Sequence, residues 1–471
     1  MKLRKETRGR KARAKTTRRE LALAPGRRRA PRTSHPPYQL PPLDLLEDRT
    51  PIPNAIVQAG IDGQTWTIEC LLRDAGLPAH IASVASGPSI TTFALTVEPN
   101  TDCGRILGLQ DDLASALGVP VVRICVPMPG VSAIGIEVPT RCPETIGLKS
   151  LIRHREAPGH GPSLPLYIGK DVSGRPLIRD LRKMQHLLVA ATDDHDVSMC
   201  LDTILHSVLL TRTPDECGML LLLRDEVHAA RYQRLPHLLA PVVTDPQCWP
   251  KVLEWLAGQA KRRRETSARA KGRRGIGRSS ALPRIVVVVD DLADIMRTAA
   301  GTDVEVAIAR LARIPAAGGV HLVLATRHPE PDVVTGLIRS NFPTRVALKV
   351  QLSRHSRCIL DQHGAERLLG NGDMLLSEPG SPELLHGQVA TISSRESRCV
   401  MDFLHAQGAL EADPALARVI QATDRGSTGS AQPSITVERR VLDAQREFIE
   451  LLDRTLLDAR AIRDRLANPD P

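Results

Sequence analysis

Six short apolar runs limit what this chain can fold into: His186–Ala190, Met219–Leu223, Ile285–Val289, His321–Thr326, Arg345–Val350 and Asp373–Leu376. None shows the polar alternation of a half-exposed strand. A strand that is apolar at successive positions is covered on both faces. Segments of helical period separate the runs, and strand–helix alternation of this kind builds a parallel sheet with helices on either side. Residues 164–408 therefore read as one α/β domain.

A smaller α/β domain precedes it over residues 44–152. The pattern predicts a helix over 54–75, strands at 81–85 and 90–97 around the Ser86-Gly87-Pro88 turn, and a helix over 104–117. That last helix carries Ile106, Leu109, Leu113 and Leu117 on one face. Further strands are expected at 119–126 and 133–138, then a Gly/Pro/His-rich connector over 154–165. Residues 1–43 read as a disordered basic arm and Pro-rich linker, 424–433 as a second linker, and 434–467 as an amphipathic helix. In that helix Val437, Val441, Ala444, Phe448 and Leu451 keep 4-3 spacing.

Charge is uneven. Residues 1–32 hold fourteen Lys and Arg against Glu6 and Glu20, a net of +12, so the other 439 residues carry −2 of the chain's +10. Such an arm suits phosphates or anionic headgroups, a solvated terminus being the alternative. A second basic run, Lys261 to Arg278, has nine cations against Glu265 and becomes glycine-spaced at Gly272, Gly275 and Gly277. It is a nucleic-acid candidate or a surface insertion. Aromatics at 2% exclude a base-stacking platform. Nine cysteines without a CxxC pair argue against zinc ribbons and disulfide scaffolds. No apolar run reaches the ~18–20 residues of a spanning helix, and no hydrophobic stretch follows the N-terminal charges as in a signal peptide. The expectation is a cytoplasmic chain.

Ile285-Val286-Val287-Val288-Val289-Asp290-Asp291 has the form of a Walker B strand, with the acids at the end that faces a ligand crevice. In an ATPase the first acid orients magnesium and the second polarises water. The matching phosphate loop, G-x-x-x-x-G-K-[ST], belongs after the run His186–Ala190. There the chain reads Ala191, Thr192, Asp193, Asp194, His195, Asp196, Val197, Ser198. Ser198 keeps the magnesium-ligand slot. Ala191 and Asp196 replace the glycines, and Val197 the lysine. Three carboxylates stand in the phosphate path. Each like-charge contact at ~4 Å costs about 4 kcal/mol at an effective dielectric of about 20, against roughly half a positive charge from the helix end. Capping of the helix by Asp194 or Asp196 is the structural account of the same loop. A metal site at Asp194-His195-Asp196 is a further reading.

Pro165-Leu166-Tyr167-Ile168-Gly169-Lys170-Asp171, Leu235-Pro236-His237-Leu238-Leu239 and, above all, Ala316-Ala317-Gly318-Gly319-Val320-His321-Leu322-Val323-Leu324-Ala325-Thr326 resemble the FtsK/SpoIIIE family of DNA translocases. So does Leu368-Leu369-Gly370-Asn371-Gly372-Asp373-Met374-Leu375, and the likeness covers about residues 50–408. It implies a RecA-like parallel-sheet P-loop NTPase motor behind a small α/β domain. It also implies ATP and magnesium as cofactors, and a hexameric ring on double-stranded DNA serving chromosome segregation in cell division. Carried onto this sequence, it implies catalytic roles for Asp290, Asp291 and Arg357. Ala191 through Ser198 and Thr326 would meet nucleotide, with Ser198 and Asp290 on its magnesium. Arg262, Arg263, Arg264, Lys271, Arg273 and Arg274 would meet DNA. The chain departs from the family at the phosphate loop. It has Leu223-Arg224-Asp225 where the family has Asp-Pro-Lys, Arg327 for a sensor-like Gln, His328 for Arg, and His355 for Asp. The expectation is a DNA-binding translocase homologue with impaired ATP binding and hydrolysis, as a homo-oligomeric ring or co-assembled with an active paralogue. The alternatives are an active ATP-dependent translocase with a nonstandard loop, and a degenerate secretion or conjugation motor.

Overall fold

Asn54–Asp74 forms α1, whose Ile68 and Leu72 are fully buried. Strands β1 (Ala79–Ser86), β2 (Ile90–Val97), β3 (Arg123–Cys125) and β4 (Ile134–Pro139) make an antiparallel sheet in the order β1-β2-β4-β3. Phe93, Leu95, Ile134, Ile136 and Val138 of this sheet meet α1 and the two helices α2 (Cys103–Gly108) and α3 (Gln110–Leu117). The single helix expected over 104–117 is thus broken at Leu109, directly after Gly108, the residue type that weakens a helix interior. The strand expected over 119–126 shrinks to the three residues of β3.

The computed structural model describes residues 38–49, 54–97, 103–125, 134–140, 143–154, 163–272, 282–298, 301–314, 318–408 and 412–424. The basic arm, Arg273 and Arg274, and the helix expected over 434–467 lie outside the described residues. The described cysteines are free. No described helix is long and apolar enough to cross a membrane.

After α4 (Leu148–Ile152) comes a nine-stranded sheet, built from β5 (Pro165–Asp171), β6 (Pro176–Asp180), β7 (Leu187–Ala190), β8 (Cys217–Leu223), β9 (Arg284–Asp290), β10 (Val320–Thr326), β11 (Thr344–Ala347), β12 (Asp373–Ser377) and β13 (Leu385–Val389). Its order is β6-β5-β13-β12-β11-β7-β10-β9-β8. The block β11-β7-β10-β9-β8 is parallel throughout. The run Asp373–Leu376, read with the parallel strands, is instead antiparallel to β11, and β13, β5 and β6 extend that antiparallel flank. Burial on both faces marks a central strand but not its direction.

Helices connect the strands: α5 (Leu181–Met184), α6 (Asp194–Leu209), α7 (Glu226–Tyr232), α8 (Trp249–Gly272), α9 (Leu292–Met296), α10 (Gly301–Ala312), α11 (Gly336–Asn341), α12 (Ser353–Leu360), α13 (Ser394–His405) and α14 (Pro414–Asp424). Alternate strand residues point to one face, so Leu220, Leu222, Ile285, Val287, Val289, Leu322 and Leu324 share a layer with Val252, Leu253 and Leu256 of α8 and Val304, Ile308 and Leu311 of α10. Each such side chain contributes ~1.5–3 kcal/mol of burial, far more in sum than any loop exchange at the strand ends can remove. The fold therefore survives the loss of the loop's glycines. The sequence pattern missed α14, whose Leu416 is fully buried and whose Val419 and Ile420 join the same layer.

A buried ionic chain ties the two sheets together. His386 on β13 bonds Glu137 on β4 through Nδ1 and Asp373 on β12 through Nε2, both at 2.8 Å. Arg123 Nη1 reaches Glu137 at 3.3 Å. Burial alone would discharge the imidazole, but the two carboxylates outweigh it and raise His386 to about 9. Burial likewise works against the Glu137 carboxylate, and His386 with Arg123 outweighs it and holds that group below the ordinary range. The described residues from Leu40 onward belong to one compact unit.

Candidate nucleotide site at the crest of the sheet

Because β10 lies between β7 and β9, three chain segments distant in sequence end side by side: the loop after Ala190, Thr326-Arg327, and Asp290-Asp291. This is the carboxyl-end crevice where α/β sheets take ligands.

Helix α6 starts directly behind β7, and its N-cap is Asp193, not Asp194 or Asp196 as the sequence suggested. The Asp193 carboxylate accepts from His195 N at 2.9 Å and Asp196 N at 3.1 Å. Val197 N donates to the Asp193 carbonyl at 3.4 Å, Ala191 N to Thr326 O at 3.2 Å, and Thr192 N to Lys349 O at 3.2 Å. The expected crowd of carboxylates in the phosphate path is dispersed onto protein partners. Asp196 is buried and accepts from Gly372 N at 2.9 Å, and burial raises its carboxyl above the ordinary range. Asp194 pairs with Arg327 Nε at 2.7 Å. His195 is exposed, so Asp194, His195 and Asp196 face three different surroundings. No metal-holding group of His, Cys, Asp and Glu occurs among the described residues. Val197, in the lysine slot, is fully buried.

Asp290 is 3% exposed and meets a guanidinium. Arg327 Nη1 bonds its Oδ1, and Nη2 its Oδ2 at 3.2 Å. The same Nη2 lies 3.4 Å from Ser198 Oγ, and Nη1 3.8 Å from Asp291 Oδ2. Burial works against the charge on both Asp290 and Arg327. His228 of α7 and Arg327 together outweigh it at Asp290 and hold that carboxyl below its ordinary value, while Asp290 holds Arg327 above its own. Asp291 caps α9 through Ala293 N at 3.1 Å, and burial, with Asp290 adding to it, raises its carboxyl. On the far side His228 of α7 lies 3.8 Å from Asp290 Oδ2 and 3.0 Å from Asp202 Oδ1, and Tyr232 OH donates to the same Asp202 oxygen. Burial opposes the His228 charge, but the two carboxylates raise it to about 9. Thr326, fully buried, accepts from His328 N at 3.1 Å.

Magnesium nucleotide, which the resemblance implies, would need Ser198 and Asp290 as metal donors and free loop amides for phosphate. Here both donors face a fixed guanidinium, and the amides of Ala191, Thr192, His195, Asp196 and Val197 all have protein acceptors. As they stand, these residues do not fit a magnesium nucleotide.

Arg357 is exposed on α12, and no hydrogen bond or ion pair of the described residues joins it to the crest. Arg262 and Arg264 are exposed on α8, whereas Arg263 is half-buried with Nη1 on Pro283 O at 2.5 Å. Lys271 is on the last turn of the same helix. The sequence flagged Arg327 only as a departure and gave no sign of His228, Asp202 or His386. A cation at the C-terminal end of a strand neighbouring an Asp-Asp strand end was the available signal for Arg327. His228 carries none, because its partners come from α6 and β9.

A parallel block with a helix directly behind its central strand, and acids ending the strand two places away, defines the P-loop NTPase motor fold. Two family profiles match the chain: "FtsK alpha domain" over residues 40–140, and "FtsK/SpoIIIE family" over 148–280 and 275–333. The chain belongs to the FtsK/SpoIIIE family. It is 38% identical over 383 residues to DNA translocase SftA of Bacillus subtilis, covering 79% of this chain and 40% of that protein. It is 38% identical over 373 residues to DNA translocase FtsK of Caldanaerobacter subterraneus subsp. tengcongensis, covering 78% and 52%. The chain thus spans about half or less of the length of these relatives. The pCW3 conjugation coupling protein TcpA matches with a TM-score of 0.49 at 18% identity, covering 72% of this chain and 99% of that one.

Proposed function

We propose that this chain is a DNA-binding FtsK/SpoIIIE homologue that neither binds nor hydrolyses ATP at its phosphate loop, and that acts in the cytoplasm as a ring-forming scaffold or beside an active paralogue. The observation that carries the reading is the Asp193 cap. The helix-end amides that would cradle a phosphate already hold a carboxylate of the same loop. The family's relatives carry the name DNA translocase, which supports duplex DNA as the partner. The +12 arm and the exposed Arg262 and Arg264 supply cations for it. Asp290 keeps its place but serves as a structural counter-ion. Arg357 and Thr326 keep the fold's positions without a nucleotide to read.

Labelled ATP at micromolar concentration should show no saturable binding, and turnover with and without DNA should match an Asp290→Ala control. A DNA-stimulated rate of ~1 s⁻¹ or more that Asp290→Ala abolishes would favour the active-translocase reading instead. Val197→Lys should not restore binding, since that position is buried beneath the capped loop.

A further inference from the structure

Asp290 is a deeply buried carboxylate at the crest, 3% exposed, and an unpaired charge there carries a large desolvation cost. In P-loop NTPases a magnesium ion, held by the loop hydroxyl and the acid at this strand end, offsets such a charge when nucleotide is bound. This chain has side chains in place: His228 lies 3.8 Å from Asp290 Oδ2, and Arg327 makes the closer contacts. The guanidinium of Arg327 forks onto both Asp290 oxygens, reaches Ser198 Oγ, and turns its Nε to Asp194. Those contacts come from β9 and from the first turn of α6, the two elements a metal would bridge. A guanidinium is planar, carries its donors in a fixed fork and stays charged at all ordinary pH. It also stands on the residue after β10, the strand between the two elements.

We propose that Arg327 is a tethered substitute for the metal ion, which closes this site against divalent cations, and that its removal uncovers a divalent-cation site formed by Ser198, Asp290 and Asp194. The inference rests on the reading of the loop as nucleotide-free, and concerns the metal half of the crest alone. The geometry favours this over a merely structural ion pair. The guanidinium contacts the hydroxyl and the carboxylate that together define the metal position, and Asp194, 85% exposed, leaves the cluster open on its solvent side. A cation entering from solvent would find the same oxygens.

The test uses the full chain and Mn²⁺ without nucleotide, read by electron paramagnetic resonance. Wild type should bind no Mn²⁺ at the crest. Arg327→Ala should bind one ion at least ~10-fold more tightly than wild type, and adding Asp290→Asn should abolish that gain. Mn²⁺ should also raise the melting temperature of Arg327→Ala and leave that of wild type unchanged, because a ligand stabilises only the state that binds it. Arg327→Gln, closer in size, reads the same way if the alanine variant does not fold. Equal Mn²⁺ affinity in wild type and both variants, or a gain that survives Asp290→Asn, overturns the proposal. ATP binding by wild type would overturn the reading of the loop and leave the metal result to stand or fall by itself.

Discussion

His386 and Arg327 each lie between carboxylates, one at the seam between the small domain and the large sheet, the other at the crest of that sheet. At the seam all three groups are shut in: His386, Glu137 and Asp373 are each less than 9% exposed. At the crest Asp290 is as deeply buried, but Arg327 is 18% exposed and its partner Asp194 85%. At the seam Arg123, 24% exposed, is the member that reaches solvent, and both carboxylates are buried. The crest cluster has a carboxylate, Asp194, standing in solvent, and Asp290 buried behind it. The exposure of the carboxylates separates the two clusters: both are buried at the seam, and one of them faces water at the crest.

The largest expected effect breaks the closed cluster. His386→Ala leaves Asp373 buried without its cation and Glu137 with Arg123 alone, and should cost ~3–5 kcal/mol in urea unfolding. Arg327→Ala should cost less, since water reaches its cluster through Asp194. If Arg327→Ala proves the more damaging of the two, the contrast between closed and open clusters is wrong.

Acidity sharpens the same contrast. Asp373 and Glu137, against the opposing effect of burial, raise His386 to about 9 in the folded protein from 6.5 for an ordinary imidazole. Its stabilisation is complete below pH 6.5 and is lost as pH rises through about 9. His228 shares this window, being raised in the same sense to about 9. Urea midpoints should therefore fall between pH 6.5 and 9.5, and His386→Gln should remove part of that slope. A midpoint that is flat over this range in wild type would mean that neither histidine is held as a cation.

The smallest effect concerns the loop alone. Asp193→Ala removes the cap of α6 and should cost about 1 kcal/mol, read by thermal unfolding. A neutral outcome would mean that the cap does not hold the loop amides, and would weaken the case against phosphate there.

Several features were legible in the residues themselves. Val286 to Val289 are fully buried, as a run of β-branched apolar residues demands. Ile90–Val97 is a strand with the bounds its pattern predicts. The displaced glycines and lysine of the phosphate loop could be counted directly. The choice of cap was not legible: Asp193, Asp194 and Asp196 are chemically alike, and only the backbone conformation at Asp193 decides which carboxylate meets the amides. Nor could the pattern show that Asp373–Ser377 runs against its neighbour, because direction depends on the connection and not on the strand.

By itself the sequence determined that a doubly covered sheet would form, since apolar residues at successive positions have no stable place facing water, and that the loop after Ala190 would lack a lysine. The tertiary structure alone decided which cation meets Asp290. Arg327 lies thirty-seven residues further along the chain, and the two meet only because β10 inserts beside β9 with Leu324 opposite Val289. Charge attraction acts over a few ångströms, whereas strand order is set by the burial of whole faces. The partner of a buried carboxylate is therefore fixed by packing before electrostatics can choose it.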